Sequence, residues 1–191
     1  INLSNDNVET KNIEGVNNPT SIYCASNVLY VLDNPVYGPA PDYAATGENA
    51  LRAVSFTEGK SQKVADGNYA VCVTPGVTTR MDVVPPYYFY VLNAPFGSTP
   101  SVSVLAAGST QAQTMTLSEM PLSPCGIFAD PLNGHIFVLS YRLGDKGNPD
   151  YNGNGYVVEY DRAGQKQHEY ETGVGSCAMF FDSAYKTAYT E

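Results

Sequence analysis

Apolar positions along this chain come in short bursts of four to six residues, not at the 3.6-residue spacing of a helix. Three bursts share one pattern, an aromatic followed by Val, Leu and a small polar residue: Tyr30-Val31-Leu32-Asp33, Tyr90-Val91-Leu92-Asn93 and Phe137-Val138-Leu139-Ser140. Tyr189-Thr190-Glu191 is a weaker fourth copy. The aromatics at 30, 90, 137 and 189 lie 60, 47 and 52 residues apart, near the roughly 40 to 50 residues of a four-stranded propeller blade.

The pattern extends to both sides of this burst, taken as strand B. Upstream, Pro124 to Pro131 aligns with Thr79 to Pro85, with Cys177 to Asp182 and with a shortened Asn18 to Tyr23, giving strand A. Asp130-Pro131-Leu132-Asn133-Gly134 reads as the tight A–B turn, Pro presetting φ and Gly supplying φ > 0. Downstream, Leu51 to Phe56, Ser101 to Leu105 and Tyr156 to Tyr160 read as half-buried C strands. Turns at Gly59, Gly108 and Gly164 lead into polar D strands at Gln62 to Ala65, Gln111 to Leu117 and Gln165 to Glu171.

The expectation is an all-β chain, a β-propeller of four-stranded antiparallel blades with about four blades' worth present. Whole blades span 18–66, 78–118 and 124–172, residues 1–14 supply strands C and D of another, and 176–191 supply strands A and B. A β-sandwich is the rival, but it needs no repeated sequence. The two half-blades either join as a composite blade, with Leu3 pairing near Tyr189, or mark the chain as an excerpt of a larger ring. The best helical candidate, Tyr43 to Ala53, is interrupted by Gly47 and poorly spaced.

The length variation points to a binding face. A–B and C–D turns read as short throughout, whereas the B–C connections are long: 34–49, 93–100 and 141–155. In a meander these leave one face of the disc, and one-sided insertions in repeat proteins often bind. Tyr37, Tyr43, Phe96, Tyr141, Arg142 and Tyr151 are the candidate ligand- or partner-binding residues, aromatics on stiff Pro/Gly-rich loops costing little entropy to order.

Charge and composition narrow the function. Nineteen acidic residues against ten basic ones give a net charge of −9, which argues against a nucleic-acid partner. Fifteen Tyr, 17 Gly and 13 Pro suit strands and turns. No apolar stretch reaches the ~18 residues of a membrane helix, and no leader is visible. The first residue is not Met, so a processed product or an excerpt is expected.

The candidate chemistry is sparse. Asp145, Asp150, Asn152 and Asn154 put four oxygen-bearing side chains on one Gly-rich loop, a candidate Ca²⁺ site, although Asx-Gly turns explain the same composition. His135 and His168, the only histidines, fall at the opposite face and the outer rim, in surface or packing roles. Arg80 and Asp82 share one face of a strand expected to edge a central channel, as a salt bridge. Cys125 and Cys177 occupy one repeat position in neighbouring blades and are expected to be buried thiols, too far apart for a disulfide. There is no zinc spacing, nucleophile elbow or phosphate loop.

The run Pro124 to Val138, with Gly155-Tyr156-Val157-Val158-Glu159-Tyr160-Asp161-Arg162-Ala163-Gly164 and Tyr170 to Gly173, resembles the repeat of YncE-like propellers, in particular the surface-layer-type propeller lipoproteins of gut Bacteroidetes. The resemblance is good over 120–190, fair over 78–118 and weak before 50. It implies an exported outer-membrane lipoprotein at the cell surface. One branch of that family captures cobalamin and passes it to an outer-membrane transporter, and no ligand residue carries over. The expected function is a non-enzymatic surface propeller binding a small-molecule ligand or protein partner on its B–C loops. The alternatives are a lactonase-like propeller hydrolase and a structural subunit of an outer-membrane assembly.

Overall fold

The computed structural model describes residues 12–73 and 87–181. They form fourteen strands, twelve of them in three four-stranded antiparallel sheets. The first sheet has the order β1 (Pro19–Ala25), β2 (Val28–Asp33), β5 (Ala50–Ser55) and β6 (Lys60–Asp66). Between β2 and β5 lies a small hairpin of β3 (Val36–Tyr37) and β4 (Ala45–Thr46). The second sheet runs β7 (Tyr69–Val73), β8 (Tyr88–Asn93), β9 (Ser101–Ala106), β10 (Gln113–Met115). The third runs β11 (Pro124–Ala129), β12 (Ile136–Ser140), β13 (Asn154–Tyr160), β14 (Lys166–Val174). Among the described residues the stack of sheets does not close, and no helix is long and apolar enough to cross a membrane.

The apolar bursts are strands buried on both faces. In β8, Phe89 and Val91 point into one core with Tyr30 and Leu51 of the first sheet. Alternate residues Tyr90 and Leu92 point into a second core with Ile127, Ile136, Val138 and Tyr160 of the third. A strand covered on both sides has no wet face, so its sequence becomes a continuous apolar run. Each fully buried side chain of this size contributes about 1.5–3 kcal/mol. Tyrosines stitch sheet to sheet: the Tyr23 hydroxyl donates to the Ala70 carbonyl at 2.8 Å, and the Tyr160 hydroxyl to the Glu119 carbonyl at 3.2 Å.

One contact recurs between successive sheets. The end of an outer strand, or for the first sheet the segment at Glu14, docks on the turn, or the strand start, that opens the next outer strand. Glu14 bridges to Lys60, the Ala112 N–H donates to the Val64 carbonyl, and the Ser118 N–H donates to the Gly164 carbonyl. Their separations are 46, 48 and 46 residues. Ile13 and Glu14 therefore stand to the first sheet as the end of β10 stands to the third. After β14, Phe181 packs on Phe137 of the third sheet's outer face at 5.3 Å between ring centroids.

The second sheet departs from the expected layout. Its first strand is Tyr69–Val73, in register with β8 through Tyr69↔Leu92 and Val73↔Tyr88, and not the segment Thr79 to Pro85. The A–B link of this sheet is therefore residues 74–87, the longest of the three, so the expectation of short A–B turns throughout is corrected. This insertion also explains the 60-residue gap between Tyr30 and Tyr90. Arg80 and Asp82 lie outside the described residues, as do Leu3 and Tyr189. The other A–B turns are tight: Asp130 accepts from Leu132 N at 2.8 Å, and Gly134 takes φ +72°.

Candidate functional site

One end of the stack holds a cavity of about 650 Å³, where the first strands of the second and third sheets begin side by side. Its walls come from Tyr69 and Cys125 at those strand starts, from Cys177 beyond β14, and from the loops 94–100 and 141–151. The volume falls within the ~300–1,000 Å³ of small-molecule sites. Among the described lining residues none is Asp, Glu, Lys, Arg or His.

Both loops are held in place. Asn68, just before β7, takes the Ala94 N–H on its side-chain oxygen at 2.8 Å and donates its amide to the Ala94 carbonyl at 3.3 Å. A turn closed from Ser98 N to the Pro95 carbonyl at 3.1 Å then raises Phe96, 85 % exposed, beside Gly97 at φ +77°. The second loop folds back as a miniature hairpin: Leu143 bridges Pro149, Gly144 N donates to the Asn148 carbonyl at 2.9 Å, and Asp150 N to the Arg142 carbonyl at 2.8 Å. That fold brings Tyr151 edge-to-face against Tyr141, with ring centroids 4.9 Å apart and planes at 72°.

Burial pushes the Cys125 thiol up to about 11, and its hydrogen bonds with Tyr141 only partly oppose this. Burial also raises the phenols of Tyr69 and Tyr141, and a negative charge on neighbouring thiols or phenols would raise them further. The wall therefore offers neutral donors, acceptors and aromatic faces.

Phe96, Tyr141 and Tyr151 line this cavity. Tyr37 and Tyr43 do not: the β3–β4 hairpin of the first sheet carries them into solvent, 63 % and 61 % exposed. Arg142 is turned aside, its guanidinium 4.8 Å from the Tyr156 ring centroid and 3.8 Å from Glu169. In the Asp145 to Asn154 loop two of the four side chains are engaged locally. Asp150 Oδ1 accepts from Asn152 N at 3.0 Å and Gly153 N at 3.1 Å, and the Asn154 amide donates to Glu171 at 2.7 Å. Asp145 is exposed, and among the described residues no three His, Cys, Asp or Glu side chains are grouped to hold a metal. The expectation of two buried thiols is half corrected: Cys125 is partly buried, whereas Cys177 is exposed.

The sequence missed a second constellation. Both histidines gather around Glu159 on the third sheet's outer face. His135 Nδ1 lies 2.7 Å from Glu159 Oε1, the Tyr170 hydroxyl donates to Oε2 at 2.8 Å, and His168 is the cross-strand partner of Glu159. Burial works to raise the Glu159 carboxyl, but its bonds to His135 and Tyr170 outweigh this and hold it below its ordinary range. The only available signal was strand register: positions 135 and 168 converge once β12, β13 and β14 pair.

No protein-family model matches the chain, and no curated protein matches it.

Proposed function

We propose that this chain is part of a β-propeller, works as a non-enzymatic binding module, and takes a small ligand in the cavity between the loops 94–100 and 141–151. The observation that carries this is convergence. Phe96 from one loop and Tyr141 and Tyr151 from another meet at a single concave site of about 650 Å³, at the starts of adjacent first strands. The loops are braced by their own backbone bonds, which lowers the entropic cost of binding. Amides, hydroxyls and aromatic faces hold a ligand without proton transfer, which favours binding over a hydrolase.

The propeller reading rests on repetition between sheets. Tyr30 and Tyr90 both face the following sheet, while Phe89 and Ile136 both face the preceding one. Each docking contact joins residues 46 to 48 positions apart. Display at a cell surface, with nutrient capture for a transporter, is the biological setting the resemblance suggests.

The test is a thermal-shift and calorimetric screen of a mixed panel of sugars, nucleosides, cobalamin and apolar small molecules. At least one compound is expected to bind the native chain and to lose its affinity in both Phe96→Ala and Tyr151→Ala, with melting temperatures unchanged. Binders that ignore these two residues but depend on Tyr37 and Tyr43 would move the site to the first sheet's hairpin and overturn the proposal.

A further inference from the structure

We infer that the cavity selects an uncharged, hydroxyl-rich ring ligand, a neutral glycan. This rests on the binding reading above and adds the ligand's chemical class.

Charge decides the first step. A ligand ion drawn into a concave site loses hydration and needs a counter-charge to replace it. The described walls supply none, and the Arg142 guanidinium is held over Tyr156. The chain's net charge of −9 adds long-range repulsion for phosphates, sulfates and carboxylates. Amines and metal cations find no described carboxylate among the lining residues. Neutral ligands remain.

Polarity decides the second step. A wholly apolar ligand would strip water from the wall's polar groups and return no hydrogen bonds, at a cost for each. Among the described residues, the Ser98 and Ser123 hydroxyls and the Asn148 amide have no hydrogen-bond partner within the fold, and all three line the cavity. A pyranose ring meets both demands. Its C–H face lies flat on an aromatic ring, and its hydroxyl rim reaches amides and hydroxyls.

The aromatic geometry supports the same class. Tyr151 and Tyr141 stand edge to face, so a ring face is left without an aromatic partner. Phe96 rises from the opposite loop with most of its surface uncovered. Two ring platforms on separate braced loops suit successive sugar units of one chain. The site is open at its mouth, so an extended oligosaccharide is accommodated better than a single sugar.

The test uses the full chain on a printed array of neutral oligosaccharides, sialylated and sulfated glycans, followed by calorimetry on the best neutral oligosaccharide. Neutral glycans are expected to bind, Phe96→Ala and Tyr151→Ala each to weaken binding about tenfold or more, and Tyr37→Ala to leave it unchanged. Raising salt from about 50 to about 500 mM is expected to change affinity less than about twofold, because no ion pair is screened. Preference for sialylated or sulfated glycans, or a steep salt dependence, would overturn the neutral class. If no glycan binds while a compound from the mixed panel still depends on Phe96 and Tyr151, the glycan class fails and the site survives. If nothing depends on those two residues, the site itself fails.

Discussion

Replacing Gly164 with Ala tests how closely the second and third sheets approach. Gly164 sits in the turn before β14 at φ +80°. An L-residue in this left-handed region costs about 1–2 kcal/mol. Its Cβ would also collide with the Thr116 carbonyl oxygen of the second sheet and sit 3.3 Å from Leu117 Cδ2. Thr116 contributes backbone there, so no rotamer change relieves the overlap. Either the sheets part or the turn opens, and opening it strains the 2.9 Å bond from Ser118 N to the Gly164 carbonyl, a loss of about 0.5–1.5 kcal/mol. The total is about 1.5–3.5 kcal/mol. Gly108 is the matched control: φ is +90°, and nothing lies within 4 Å of an added Cβ. Gly108→Ala therefore carries only the dihedral cost of about 1–2 kcal/mol. Urea unfolding of the three proteins, followed by near-ultraviolet tyrosine signal, measures the difference directly. Equal destabilisation by the two substitutions would mean that the outer strand end does not dock on the next turn as described.

Asp33 is fully buried and accepts the Asn17 and Asn18 N–H groups, the latter at 2.6 Å. Arg52 Nε lies 3.3 Å away without the alignment of a hydrogen bond, so that pair is Coulombic. Asp33→Ala strands two N–H groups and leaves Arg52 with only the half-exposed Glu48. It is expected to cost about 3–5 kcal/mol, and a loss below about 1 kcal/mol in the same urea assay would refute the reasoning. The cysteines should divide by environment under iodoacetamide near pH 8. Cys24 and Cys177 are exposed, whereas burial pushes Cys72 and Cys125 to about 11, leaving about one molecule in a thousand as the reactive thiolate. Peptide mapping should find the first pair alkylated fast and the second slowly, and fast labelling of Cys125 would contradict the closed wall it forms.

The third sheet is the part of the fold most legible in sequence. Its turn chemistry is explicit, Asp130 to Gly134 closing one hairpin and Asp161 to Gly164 another, and its B strand turns Ile136 and Val138 into the core shared with the second sheet while Phe137 faces Phe181. The second sheet's first strand was not legible. Tyr69-Ala70-Val71-Cys72-Val73 is followed by a turn signal at Pro75-Gly76, but its partner β8 begins fifteen residues beyond Val73. Local pattern cannot find a partner across such a gap, and Met81 to Val84 matched the repeat better by composition. What identifies the strand is Gly67. A Cβ there would collide with Val91 and meet the Leu92 carbonyl at 2.9 Å, so the chain can enter β7 only at a glycine. The candidate site was legible to the extent that its aromatics sit on Pro/Gly-rich B–C loops. The hairpin that separates Tyr37 and Tyr43 from the cavity depends on a two-residue pairing, too short to leave a pattern.

Register carries the argument one step further. Tyr30, Tyr90 and Phe137 occupy one position in three successive B strands, since their neighbours Leu32, Leu92 and Leu139 pair with Ser21, Tyr69 and Gly126. Tyr30 is packed against Phe89 of the following sheet, and Tyr90 lies in the core shared with the third. By the same position Phe137 faces onward, and the ring that meets it is Phe181. Cys177 to Asp182 repeats Cys125 to Asp130 in sequence, which puts Phe181 at the place of Ala129, a residue that points back into the preceding core. Phe180, one residue earlier, then points forward, and it is 92 % exposed. The side-chain directions of Phe180 and Phe181 match the alternation of a first strand, with Phe181 covering Phe137 and Phe180 turned to solvent.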